Sequence, residues 1–365
     1  MPDIQLTSGE ADIIIDFVRH ADTNPPDATD LVAGNGLPGA PVSGLPGVPP
    51  VGDNGLQQAT DTATLLHNEL GNQIAGIFGG YEQRMIETAI PLLQELGLPV
   101  TALDPTDSFN PNYFSPDFQL MNGLDEIGGG IYADAAPGTP GALASELTAL
   151  LWLLGAEFVP IPGSNDWNGI QFDENFGGAV STIYTDTVGD AANPMTGLVT
   201  DVAYSGEGAI LGWTLLNVDN PDLAILVPAG LNAIASGELL PPAGVVEVMG
   251  NPVDGWTLES FAGQAYPQNP GLLTELFVDV RDGILAPQTA AWNIFESIFT
   301  GPGAPTLTSI GESLLTNTEN VGETLLNLPG SMVTDISTEV QTLLTDLAGG
   351  ESFNAAFDAT ILGLV

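Results

Sequence analysis

Two short segments of this chain carry residue types that can handle a phosphoryl group. The first is Val18-Arg19-His20-Ala21-Asp22-Thr23. A neutral imidazole can attack phosphorus, and an adjacent guanidinium can hold phosphoryl oxygens bidentately. The second is Gln83-Arg84-Met85-Ile86-Glu87-Thr88-Ala89, at the start of a helix-patterned stretch. A helix N-terminus there favours anions, and Arg84 adds a full positive charge. A third segment, Leu124-Asp125-Glu126-Ile127, offers a carboxyl that can act as general acid for a leaving oxygen. Each has a bland alternative. A histidine at a strand end is more often structural than catalytic, Arg84 also reads as a surface arginine, and Glu126 is one of 46 acidic residues. Scarcity weighs against the bland reading of the arginines. The chain has three basic residues, Arg19, Arg84 and Arg281, and two of them fall in these segments.

Those residues need elements to hold them. Asp12 to Val18 is an apolar, β-branched run that reads as a buried strand of a parallel sheet. It leads directly into Arg19-His20, and ligand sites of open α/β sheets lie at the C-terminal ends of strands. A Gly/Pro loop with the near-repeat GLPGAP and GLPGVP follows. Gly55 to Leu70 has helical spacing, Gln73 to Phe78 reads as a second strand, and Glu82 to Leu96 as a second helix closed by Gly97. Pro99 to Leu103 reads as a third strand, Phe109 to Pro140 as irregular, Ala142 to Leu154 as a helix, and Phe158 to Asn193 as loop-rich. Val199 to Ser205 reads as a fourth strand, Gly208 to Leu216 as a helix, and Val245 to Met249 with Trp256 to Phe261 as a hairpin around Gly250-Asn251-Pro252. The alternation predicts an α/β fold: a mostly parallel sheet in three layers, flanked by helices. After Gly271 the chain becomes a series of about four amphipathic helical pieces. Residues 1–270 are therefore expected to form the α/β domain. Residues 271–365 are expected to form a helical appendage, packed on it or on a protein partner.

The order and spacing of these motifs resemble the histidine phosphatase superfamily, the phosphoglycerate mutase-like fold. The family's Arg-His-Gly-x-Thr/Ser motif resembles Arg19 to Thr23. Its Gly-x-x-Gln-Ala helix resembles Gly55-Leu56-Gln57-Gln58-Ala59, its Arg-x-x-x-Thr-Ala motif matches Arg84 to Ala89, and its acid segment resembles Leu124 to Ile127. The likeness spans about residues 12 to 261. It implies that His20 is the nucleophile that becomes phosphohistidine. It also implies that Arg19, Arg84 and Thr23 bind the phosphate, and that Glu126 is the proton donor. The family needs no cofactor, and no metal ligand is implied.

The chain departs from the family where a second histidine is expected, after the fourth strand. Gly206 stands in that place and Glu207 follows. The remaining histidine, His67, lies mid-helix, where the family has no catalytic residue. Loss of one charge-assisted contact in a phosphoryl site costs a few kcal/mol, or roughly a hundredfold in rate. The expectation is a divergent member with a phosphate pocket but reduced or absent turnover, used for binding or as an envelope component. The competing expectation is an active phosphomonoesterase working through His20. A third is that Gly206 is an engineered or misaligned position, although the alternative alignment onto Val227 to Gly230 also lacks a histidine.

Composition narrows the partners. Forty-six acidic residues against three basic ones give a net charge of −43, with no lysine and no cysteine. A nucleic-acid interface cannot be built from three arginines, and an anionic membrane surface repels such a chain. Disulfides, thiolate metal sites and cysteine nucleophiles are excluded. Disorder is not implied, because 44% of the chain is apolar and only 13% is charged. No helix-competent apolar run reaches the ~20 residues of a membrane span, and no basic n-region precedes an apolar run at the N-terminus. The lysine-free, acidic, Gly/Pro/Ala/Thr-rich composition resembles exported proteins of high-GC actinobacteria, which implies an extracellular or cell-envelope location. The cluster Asp166-Trp167-Asn168-Gly169 with Asp173-Glu174 has oxygen ligands of the kind calcium takes, without the spacing of an EF-hand loop. Diffuse counter-cation binding is the expectation there. A small phosphorylated ligand remains the expected partner of the motifs.

Overall fold

The β-branched run Ile13–Arg19 forms β1. In the computed structural model it is buried along nearly its whole length. The structure describes residues 11–22, 53–100, 117–132, 148, 151–152, 156–189, 198–221, 240–267 and 271–299, with scattered positions between 316 and 349. Among these, the helices are α1 (Asp53–Leu70), α2 (Gln83–Glu95), α3 (Gly169–Gly189), α4 (Glu207–Asn217) and α5 (Leu272–Phe299). The other strands are β2 (Ile74–Gly79), β3 (Phe118–Leu120), β4 (Thr200–Ser205), β5 (Val245–Asn251), β6 (Gly255–Phe261) and β7 (Gln264–Ala265).

The strands make one mixed sheet in the order β3-β2-β4-β1-β5-β6-β7. The half containing β3, β2, β4 and β1 is parallel. The hairpin β5–β6 and the short β7 add antiparallel strands beyond β1. Because β4 lies between β1 and β2, chain order and sheet order diverge there. The C-terminal ends of these three strands lie side by side, with Arg19 paired to Ser205 and Gly79 to Tyr204. That is the crevice in which open α/β sheets hold ligands.

Alternation along β1 sends its side chains to two layers. Val18 joins Ala63 and Leu66 of α1, and Met85, Ala89 and Leu93 of α2, in one core. Phe17 points the other way. It meets the rings of Phe176 and Trp213 at centroid distances of 5.4 Å, and Trp213 in turn meets Trp256 at 5.9 Å.

Four expectations change. Pro99 and Val100 are not in a strand, and 101–103 lie outside the described residues. The edge partner of β2 is β3, inside the segment read as irregular. At three residues it is too short to show a period. The loop-rich reading of Phe158 to Asn193 gives way to α3, whose buried Phe172, Phe176, Val180 and Ile183 follow helical spacing. The pair Gly177-Gly178 and the threonines obscure that pattern in the sequence. The first two pieces after Gly271 are one 28-residue helix, α5, which continues through Pro287. Proline inside a helix costs ~3 kcal/mol, and the long run of other helical bonds carries it.

Contacts divide the chain into two compact units. One comprises 1–127, 174–218 and 232–266, and contains the sheet. The other comprises 128–173, 219–231 and 267–365. Within the second, Trp167 stacks on Trp292 and Trp292 on Phe295. No helix among the described residues is long and apolar enough to cross a membrane.

Candidate phosphate site at the strand ends

His20 follows the last residue of β1. Its backbone N–H donates to the Ser205 carbonyl at 3.0 Å, and its own carbonyl accepts from the Ala243 N–H at 3.3 Å. The ring Nδ1 lies 2.9 Å from the Ala21 carbonyl. A carbonyl can only accept, so Nδ1 carries the proton and Nε2 keeps its lone pair. Burial, then the Arg84 charge, and to a lesser extent Arg19, push the imidazole pKa down to about 3. His20 is therefore neutral at ordinary pH. The two arginines that act on it are the two that the sequence singled out.

Neighbouring elements fix this turn. The Ala21 N–H donates to Thr88 Oγ1 at 2.9 Å, and that hydroxyl donates to the Arg84 carbonyl at 2.6 Å. The first and second motifs are thus tied through one threonine. On α1, Gln58 clasps Asp22: Oε1 accepts from its N–H at 3.0 Å and Nε2 donates to Oδ2 at 2.7 Å. A Cβ on Gly55 would overlap the Asp22 carbonyl, so glycine permits the close approach. Ala243, with φ 55°, is held by Thr62, whose hydroxyl donates to its carbonyl at 2.8 Å. A non-glycine residue at positive φ stores of order 1 kcal/mol, and such strain persists where surroundings over-determine it. The backbone at Ala21 is outside the left-handed region, so alanine there carries no positive-φ strain.

Each arginine is already paired. Arg19 Nη1 lies 3.0 Å from Glu207 Oε2 and also donates to the Leu240 carbonyl. Glu207 Oε1 accepts from the Leu240 N–H at 2.9 Å. Arg84 Nη2 forms an ion pair with Glu82. Burial, with the negative charges of Glu126 and Asp125, pushes the Glu82 carboxyl up to about 7 despite the opposing pull of Arg84. Nε of both arginines is buried without a hydrogen-bond partner.

Glu126 reaches the N-terminus of α4. Its Oε1 accepts from the N–H of Ala209 at 3.0 Å and of Ile127 at 2.9 Å, and Oε2 from Gly208 at 3.3 Å. Gly206 is the residue before α4, at φ −90° and ψ 160°, a backbone any residue adopts. Space, not backbone, requires glycine. A Cβ at 206 would overlap the Glu126 carboxyl and lie 2.9 Å from Glu126 Cβ.

The structure thus brings Arg19, His20, Arg84, Glu126, Gly206 and Glu207 to one end of the sheet. Thr23 lies outside the described residues. His67 is in the last turn of α1, about 13 Å along the helix from Gln58 at 1.5 Å per residue. Asn168 of the calcium-like cluster caps α3 instead, its Oδ1 accepting from the Gln171 N–H at 2.9 Å. No group of three or more metal-ligating side chains is present among the described residues. Two participants escaped the sequence reading. Glu82 is one acid among many, and its only signal is its spacing two residues before Arg84. The Leu240 backbone carries no side-chain signal at all.

The chain matches no protein-family model. It is 35% identical over 327 residues to the PE-PGRS family protein PE_PGRS11 of Mycobacterium tuberculosis, covering 89% of this chain. It spans about half of that relative's length, 48%. Similar solved structures include a protein described as mycobacterial hydrolase 1, with TM-score 0.41 and 15% identity over 70% of this chain and 100% of that one. A vanadate complex of mycobacterial glucosyl-3-phosphoglycerate phosphatase has TM-score 0.40 and 18% identity, covering 70% and 100%. The α-ribazole phosphatase of Shigella flexneri has TM-score 0.39 and 14% identity, covering 69% and 98%.

Proposed function

We propose that this chain carries a pocket of the histidine phosphatase type whose turnover is reduced or absent, and that it serves in binding at the cell envelope or outside the cell. The observation that carries the phosphatase-type reading is His20. Its imidazole is neutral, is fixed through Nδ1, and feels both Arg19 and Arg84. In an active version, Nε2 attacks phosphorus, the ester P–O bond breaks, and a P–N bond forms. Water then cleaves that bond and releases phosphate. The leaving alkoxide needs a proton, and the developing charge needs donors.

Those later requirements are poorly met, which supports reduced turnover. Position 206 has no side chain to donate. Glu126 accepts backbone hydrogen bonds where a proton donor is wanted. Glu207 and Glu82 occupy the guanidinium groups that would clamp phosphate. The active phosphomonoesterase remains the second reading, favoured by the neutral, nucleophile-ready His20. Gly206 as the chain's own residue is supported by the fit of Glu126 against it.

An aryl phosphate with an acidic phenol leaving group separates the two readings, because it needs little help from a general acid. We expect turnover at least about a hundredfold below that of a site with all its donors, without a rate change between pH 5 and 8 from His20 titration. Any turnover should disappear in His20→Ala. Brisk hydrolysis lost in that variant would establish the active enzyme. Hydrolysis unchanged in it would remove His20 from the chemistry.

The α/β region is taken as 1–270 in this proposal, with the helical region 271–365 offering a surface to a protein partner. The export reading is supported by the lysine-free acidic composition. The site's chemistry as proposed uses no cofactor, and its ligand class is a small phosphorylated molecule.

A further inference from the structure

We propose that the Glu126 carboxylate is the resident anion of this pocket, seated on the N-terminus of α4, and that it must leave before a free oxyanion of the phosphate class can enter. This rests on the phosphatase-type reading of the site and says what fills it.

The backbone argues first. The first amides of a helix are unpaired and favour an anion. Two of those of α4, Gly208 and Ala209, donate to Glu126. A phosphoryl group placed there would need the same two N–H groups. The second argument is spatial and independent of hydrogen bonding. Gly206 has an ordinary φ, so its lack of a side chain serves the volume beside it, and the Glu126 carboxyl fills that volume. A Cβ on Gly208 would also come within 2.9 Å of Glu126 Oε1. A side chain at 206 and Glu126 in its seat exclude one another. The two positions read as one exchange, in which the place expected for a histidine is held by an acid from another loop.

Charge supports the same assignment. Arg19 and Arg84 face Glu207 and Glu82, leaving Glu126 as a third carboxylate against two guanidiniums. An incoming dianion meets a filled seat and guanidiniums that already face carboxylates. A tethered occupant lowers apparent affinity by the fraction of time the seat is open. Removing it restores that factor.

Tungstate, a dianion across neutral pH, tests this by calorimetry on the full chain, with thermal melts to verify folding. Glu126→Ala should bind tungstate at least about tenfold more tightly than the native chain, and Glu126→Gln by an intermediate factor. Gly206→Ala should raise affinity too, because its Cβ evicts the carboxylate without altering it. The gain should vanish in Glu126→Ala/Arg84→Ala. Equal affinity in the native chain and a folded Glu126→Ala overturns the resident anion; if that binding still depends on Arg84, the phosphatase-type reading stands. Tungstate bound by none of the folded variants overturns both.

Discussion

Glu82 and Arg84 stand two residues apart at the start of α2, and their pairing decides whether Arg84 has charge to spare. The Glu82 carboxyl is pushed up to about 7 by burial and by Glu126 and Asp125. Above that pH it is ionised and neutralises Arg84. Below it the carboxyl takes up a proton and releases its hold. His20, at about 3, stays neutral throughout this range and contributes no change. Tungstate affinity should therefore rise as pH falls from 8 to 6, by roughly tenfold for one charge-assisted contact regained. Glu82→Gln should flatten that profile and bind at pH 8 as the unsubstituted chain does at pH 6. Titrations in both the native chain and Glu126→Ala measure it. A profile that stays steep in Glu82→Gln would assign the effect to another group.

At the scale of elements, β1 carries the architecture. It pairs with β4 on one side and β5 on the other, and its alternating side chains feed both layers. Phe17 is wholly buried against Phe176 and Trp213. Phe17→Ala should cost about 3–5 kcal/mol, and Phe17→Leu markedly less, in denaturant unfolding. Equal costs for the two would mean that the layer relaxes around the lost ring. Most elements were legible because they are amphipathic or continuously apolar: β1, α1, β2, α2, β4, α4 and the hairpin all lie within a few residues of their expected bounds. β3 and α3 were not, since three edge residues show no period and Gly177-Gly178 interrupts one.

Across the whole molecule, acidic groups shape the response to pH. Burial, then the charges of Glu247 and Glu69, push Asp16 in the middle of β1 up to about 8. Burial pushes Asp201 up to about 7, against the Thr187 hydroxyl that donates to it at 2.8 Å. With Glu82, these carboxyls stay protonated in the native state at pH values where the unfolded chain has lost those protons. Stability should therefore fall as pH rises from about 5 towards 8, at up to roughly 1.4 kcal/mol per pH unit per group. His20 acts oppositely, because its native pKa is lowered. The unfolded chain holds that proton between about 3 and 6.5, so His20 favours folding as pH rises there. Three groups outweigh one, and the melting temperature should be higher at pH 5 than at pH 8. Asp16→Asn should raise stability at pH 8 and reduce the slope. A melting temperature that climbs from pH 5 to 8 would overturn the assignment. Among the described residues, all three arginines are in ion pairs; Arg281 Nε lies 2.8 Å from Asp282 Oδ1.

The sequence alone determined the scarcity of positive charge, the α/β alternation and the three segments worth watching. These depend on composition and local period, which a linear chain displays. That Gly206 takes the place of a family histidine is what the resemblance implies. Only the tertiary structure decided what lies beside that glycine, the Glu126 carboxyl. Glu126 lies far along the chain from Gly206 and Glu207 at the start of α4, and nothing in the sequence says that its carboxyl fits the volume beside the glycine or that Glu207 turns towards Arg19. Such contacts arise where the ends of β1, β2 and β4 meet. Long-range packing, not local propensity, chooses which acids among 46 face the two arginines.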